Sequence, residues 1–235
     1  MALPQLNSAT YELNIPSTGQ KVEYRPYLVK EEKILMLAME SGDEKQILKA
    51  TTGIVEACTF GKVDALKMPM FDLEYIFLKL RSKSVGETSN IQLKCTSCDT
   101  YSPSVISLED IEPTIDSSLD HKVQLTDDVG VIMKWPTVDD IIKNTGNSTN
   151  QVDVVFGFLT ASIESIYDAE NVYPAKDHTK EELIQFLESL SQEQFNTVQK
   201  FFEKMPRLEK TVKFDCVGCG EHNDVKVTGL QSFFA

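Results

Sequence analysis

Four of the five cysteines in this chain fall into two C-x-x-C pairs, Cys95–Cys98 and Cys216–Cys219. Two thiols at that spacing on a tight turn can share a metal ion, cycle as a redox pair, close a disulfide or have no role at all. The last is improbable for two matched pairs. The flanks weigh on the choice. "IQLK" leads into the first pair and "SVISL" follows its knuckle, while "TVKF" and "DVKV" bracket the second, so both read as strand, turn, strand. A thioredoxin-type redox pair sits instead at the start of a helix, where the thiolate is stabilised. A disulfide needs an oxidising compartment. The opening "MALPQLNSATYELNIP" lacks a basic region followed by an apolar run, so no signal peptide is expected. Two knuckles facing one another supply four thiolates in a tetrahedron with Zn–S near ~2.3 Å. The expectation is a split zinc ribbon with Cys95, Cys98, Cys216 and Cys219 as ligands and one zinc per chain. Four thiolates close the coordination sphere, which points to a structural rather than a catalytic ion. Gly218 and Gly220 are expected to supply positive backbone torsions in the second knuckle.

The elements that must bring the pairs together are unusual in one respect. There are 117 residues between Cys98 and Cys216, where the zinc template spans roughly 12 to 20. Closing the longer loop costs little more, because the entropy grows with the logarithm of length. The chain reads as a single α+β body, 1–235, in three parts. Residues 1–86 begin with a hairpin, in which Tyr11, Leu13 and Ile15 face one way and Val22 and Tyr24 return after "PSTGQ". Three helices follow and look like one packed unit: "KEEKILMLAMES", "DEKQILKATTGIVEACTF" with Asp43 as its N-cap, and "MFDLEYIFLKLRSKS" with Leu73, Ile76, Phe77 and Leu80 on a stripe. Residues 87–136 and 207–235 hold strands and the ribbon. A second hairpin there turns at Asp127–Gly130, with Val131, Met133 and Trp135 alternating. Residues 137–206 read as a helical insert, with loops at 143–151 and 168–179 and with capping boxes "TKEE" (179–182) and "SQEQ" (191–194). The helical segment then returns to the ribbon. No internal repeat is evident.

Composition bounds the partners. With 41% hydrophobic and 25% charged residues the chain resembles ordinary globular proteins. A net charge of −13 opposes a grip on phosphate backbones or anionic lipid, so no nucleic acid and no membrane is expected among the partners. Other candidates are weak. Cys58 sits on an apolar helical stripe and reads as a small core hydrophobe. His222, three residues after Cys219, could replace a thiolate but reads as a solvated loop residue. His121 and His178 read as surface residues, and Trp135 as a core anchor. Asn147-Ser-Thr149 matches a glycosylation acceptor that would matter only in a secreted chain. The acidic stretch 108–120 reads as a solvated connector. Two other classes stay open: a zinc-ribbon nucleic-acid-binding regulator and a thiol oxidoreductase.

Longer segments carry a resemblance. "YELNIPSTGQKVEYRPYLVKEEKILMLAMES" (11–41), "FDLEYIFLKLRSKSVGE" (71–87), the two knuckles, "FEKMPRLEKTVKFDCVGCG" (202–220) and "GLQSFF" (229–234) make the chain resemble the baseplate proteins of T4-like tailed phages. That resemblance implies a non-enzymatic structural or assembly protein of a contractile-tail baseplate hub. Its partners would be other baseplate or tail hub proteins. It would work in the host cytoplasm during assembly, and whether it stays in the virion is left open. No catalytic residue carries over. Phe233 and Phe234 at the chain end could anchor a neighbouring tail protein or fold back onto the core.

Overall fold

A computed structural model describes residues 8–116, 119–145 and 150–233. The chain forms two compact units, the first from residues 1–65, 71–114 and 207–235 and the second from 66–70 and 115–206. Asn147–Thr149 and Phe234 lie outside the described residues, as does part of the acidic stretch 108–120.

The first unit opens with the expected hairpin, β1 (Tyr11–Asn14) and β2 (Lys21–Tyr24), paired Leu13 to Val22 and Tyr11 to Tyr24. Three helices follow: α1 (Val29–Ser41), α2 (Glu44–Cys58) and α3 (Met70–Ser84). Asp43 caps α2 by accepting from the Lys45 N–H. Ile54, Val55 and Cys58 of α2 are buried, and burial pushes the Cys58 thiol up to about 11, as befits a core hydrophobe. The centre of the unit is α3, whose Phe71, Leu73, Tyr75, Ile76, Phe77, Leu78 and Leu80 are all buried. A helix buried on every side is a core helix. Its Asp72 ties the first hairpin to it, accepting from the Ser17 N–H at 3.1 Å and from the Ser17 hydroxyl.

Burial holds the Asp72 carboxyl above its ordinary range, against the hydrogen bonds from Ser17. A carboxyl raised in the folded state contributes stability at acid pH that is lost as pH rises through the folded-state value. Asp72→Asn, neutral throughout and still able to accept from the Ser17 N–H, should therefore be more stable than the parent at pH 7. Its advantage should shrink as pH falls from the raised folded-state value towards the ordinary carboxylate range. Urea unfolding at pH 7 and pH 4 checks this. Asp72→Ala should instead cost about 1–3 kcal/mol by leaving Ser17 without its acceptor.

The three helices fall in one compact unit, as expected, with α1 packed on α2. The helix α1 is not enclosed with the others. Its apolar residues run consecutively from Ile34 to Met39 rather than on one stripe, so most cannot face inward. Only Glu31 and Ala38 are buried, whereas Val29, Ile34, Met36, Leu37 and Met39 are exposed. Glu31 anchors the helix start, accepting from the Leu28 N–H and pairing with Arg25 at 2.9 Å.

Beyond α3 the first unit contains two more hairpins. They are β3 (Thr88–Lys94) with β4 (Tyr101–Ser107), and β9 (Glu209–Asp215) with β10 (His222–Thr228). Each is a separate two-stranded antiparallel sheet. A 3-10 turn, Leu230–Phe233, packs on β3 and β10 and buries Phe233 completely. Phe233 therefore folds back onto the core, the second of the two roles open to it from the sequence.

The second unit is built on a four-stranded antiparallel meander. It comprises β5 (Lys122–Gln124), β6 (Gly130–Met133), β7 (Ile163–Tyr167) and β8 (Val172–Pro174). The stretch 137–206 is thus not wholly helical. Residues 163–174 form a hairpin between α5 (Gln151–Ala161) and α6 (Lys180–Glu188). Alternation in "IESIY" favours a strand, and Asp168 closes the turn by accepting from the N–H groups of Glu170 and Asn171. The other helices are α4 (Val138–Thr145) and α7 (Gln192–Glu203). Thr179 with Glu182 and Ser191 with Gln194 form the two expected capping boxes. Val123, Val131, Met133, Leu159, Ile163, Leu187, Val198 and Phe201 make the core, with Trp135 packed against it. His121 is no surface residue: its Nδ1 lies 2.8 Å from the Met133 carbonyl and its ring meets Trp135 and Phe201 edge-on.

Candidate metal centre

The two cysteine-bearing hairpins are one structure built twice. Residue for residue at an offset of 121, β3 matches β9, β4 matches β10, Cys95 matches Cys216 and Cys98 matches Cys219. Ile91 and Ile106 are buried at the positions of Val212 and Val227. The turns share their hydrogen bonds as well. The Cys95 N–H donates to the Thr100 carbonyl and the Cys216 N–H to the Glu221 carbonyl, each at 2.9 Å. The Asp99 N–H reaches the Cys95 carbonyl as the Gly220 N–H reaches that of Cys216. Asp99 (φ 58°) and Gly220 (φ 74°) hold the same left-handed corner. Gly218 has a different role from the one expected: a Cβ there would stand 2.9 Å from the Thr100 hydroxyl, so its smallness lets the second knuckle lie against the first.

That approach collects the four sulfurs. Cys95, Cys98, Cys216 and Cys219 place their Sγ atoms within 4.8 Å of one another. Two of the contacts cross between hairpins, 3.7 Å from Cys95 to Cys219 and 3.5 Å from Cys98 to Cys216. Four sulfurs at ~2.3 Å around a tetrahedral ion would stand about 3.8 Å apart, so the set suits such an ion without rearranging the hairpins. A disulfide at ~2.05 Å is shorter than either contact. Cys95 and Cys216 are buried, and Cys98 and Cys219 are exposed. His222 stands outside the group, exposed and 2.9 Å from Asp215.

Backbone N–H groups point at the inner sulfurs, from Ser97 to Cys95 at 3.4 Å and from Gly218 to Cys216 at 3.3 Å. Donors so placed would stabilise a thiolate at either sulfur. The N–H of Ser97 draws the Cys95 thiol below its ordinary value. The N–H groups of Cys219 and Gly218 bring Cys216 down to about 6. Although the Glu221 N–H favours its thiolate, Cys219 is pushed up to about 12, through its contacts with Cys98 and the other sulfurs and through burial. Of the sequence candidates, the four cysteines converge and the histidines do not join them. Ser102 and Asn223, which sequence reasoning did not single out, lie directly behind the knuckles. The only available signal was their shared place seven residues after the first cysteine of each pair.

Fold and centre together define an α+β protein in which paired hairpins from distant parts of the chain close a four-cysteine cluster. The chain matches the family described as T4 bacteriophage base plate protein over residues 8–235, and it belongs to that family. No curated protein and no solved structure matches the chain. Among the described residues no helix is long and apolar enough to cross a membrane.

Proposed function

We propose that this chain is a non-enzymatic structural or assembly protein of the baseplate hub, with one structural zinc held by Cys95, Cys98, Cys216 and Cys219. Family membership over residues 8–235 carries the baseplate part of this reading. Convergence of the four sulfurs supports the metal part. When bound, the ion would cross-link the two hairpins. Four thiolates leave no open position on it for a substrate or an activated water.

An assembly role needs a surface for a neighbour, and α1 offers one. Val29 (79% exposed), Ile34, Met36, Leu37 and Met39 are exposed apolar residues of this one helix, with exposed Lys33 and Glu40 among them. Large exposed apolar patches mark contact sites. The proposed occupant is another baseplate or tail hub protein, the class of partner that membership of a baseplate family suggests. A tagged chain recovered from infected cells should bring hub subunits with it, and Met36→Lys with Met39→Lys should reduce that recovery at least tenfold while leaving the fold unchanged by circular dichroism. Recovery of the chain with no tail protein would overturn the hub assignment. Self-association by ultracentrifugation, lost in the double variant, would assign the face to a second copy instead.

A further inference from the structure

The two hairpins are separate sheets, so something other than a shared strand ladder must set how their knuckles meet. The N–H that follows the first cysteine of each pair is received by a buried side chain of the opposite hairpin. The Thr96 N–H donates to Asn223 Oδ1 at 2.9 Å, and the Val217 N–H donates to Ser102 Oγ at 3.2 Å. Ser102 and Asn223 occupy the same position of the repeat, seven residues beyond Cys95 and Cys216, and are 1% and 2% exposed. The arrangement is reciprocal: each hairpin clasps the other's knuckle by the same backbone group.

Asn223 does more than accept. Its Oδ1 also receives the Thr96 hydroxyl at 2.9 Å, and its Nδ2 donates to the Glu221 carbonyl at 2.8 Å. A backbone N–H on one side and a carbonyl on the other fix which end of the amide is oxygen. The same Nδ2 lies 3.5 Å from Cys95 Sγ. Thus one side chain clasps the first knuckle, braces the second and presents a donor to a sulfur. We infer that Ser102 and Asn223 are a reciprocal pair of positioning residues that fixes the four sulfurs in ion-binding geometry, Asn223 also stabilising the Cys95 thiolate.

This inference rests on the metal reading above, and its test separates the two. Zinc affinity is measured on the full chain by competition with a chromophoric chelator, and site geometry by the absorption of the cobalt(II)-loaded protein. Replacement of groups that support metal ligands typically weakens binding about 10–100-fold. Asn223→Ala should fall in that range and alter the cobalt bands. Asn223→Asp, which keeps the acceptor for Thr96 but loses the amide donor, should also bind more weakly than the parent. Ser102→Ala should weaken binding by less, and Ser102→Thr, which retains a hydroxyl acceptor, should restore it. A parent protein that binds neither zinc nor cobalt removes the metal reading itself. A parent that binds, alongside Ser102→Ala and Asn223→Ala proteins with unchanged affinity and cobalt spectrum, overturns the latch alone. Should Asn223→Ala not fold, the Ser102→Ala and Ser102→Thr pair decides: equal affinity in both counts against the inference.

Discussion

Protein purified without chelator should carry about one zinc per chain, and stripping it should lower the melting temperature by roughly 8–16 °C. The figure follows from linkage. An ion at about 1,000 times its dissociation constant stabilises the folded state by about 4.1 kcal/mol, and each kcal/mol moves the midpoint of a chain this size by about 2–4 °C. Zinc bound to small finger peptides contributes on the order of 10–16 kcal/mol, but there the metal supplies nearly all the folding energy. Here α3 gives the unit a core of its own, so removal should loosen it rather than unfold it. Hydrogen exchange should rise first in β3, β4, β9 and β10, because the ion would join these hairpins. Cys216→Ser should reproduce the stripped protein and become insensitive to chelator. Cys58→Ala, altering a buried thiol away from the cluster, should stay chelator-sensitive. A metal-free parent with an unchanged melting curve would show that the sulfurs converge for packing alone.

The long separation of the two pairs is consistent with that scale. Residues 115–206 fold as their own compact unit between them, so the chain linking the hairpins is not a floppy loop whose whole entropy the ion must overcome. Even a flexible loop would add only about 0.6 kcal/mol for each doubling of its length. The spacing that looks extreme in sequence is therefore a weak argument against a shared site.

What was legible in the sequence was what is encoded within a few residues. The capping boxes at Thr179–Glu182 and Ser191–Gln194 formed as read because both partners lie in one turn of chain. The knuckles formed because C-x-x-C between strand-like flanks specifies a local turn. The duplication escaped notice because its two copies share a geometry and few letters. Asp99 and Gly220 hold the same positive φ, and Ser102 and Asn223 receive the same backbone donor, with different side chains in each case. The hairpin at 163–174 was hidden between helices whose stronger periodicity ran on either side. The exposure of α1 has the opposite cause: its composition looks like core, and only packing shows that, among the described residues, Ile34, Met36, Leu37 and Met39 stay exposed.

Phe233→Ala should cost about 3–5 kcal/mol, the range for emptying a fully buried phenylalanine site. An end of a chain is commonly frayed unless something docks it, and here several groups do. The Gly229 N–H donates to the Leu208 carbonyl, where the chain returns to the first unit, and the Ser232 N–H closes the turn on Gly229. The Leu230 N–H is accepted by Glu74 on α3, whose carboxyl burial holds above its ordinary range. With the side chain wholly enclosed, the terminal turn acts as a plug over β3 and β10, the same strands that lead into and out of the cysteine cluster. Phe233→Leu, which retains most of the apolar volume, should cost much less, and Val105→Ala, at a site 65% exposed, should stay within about 0.5 kcal/mol of the parent. Urea unfolding of the three proteins measures the differences. Because Phe233 lies under the hairpins rather than outside them, its loss should also speed zinc release to a chelator. Unchanged release from a strongly destabilised Phe233→Ala protein would separate the stability of the core from that of the cluster.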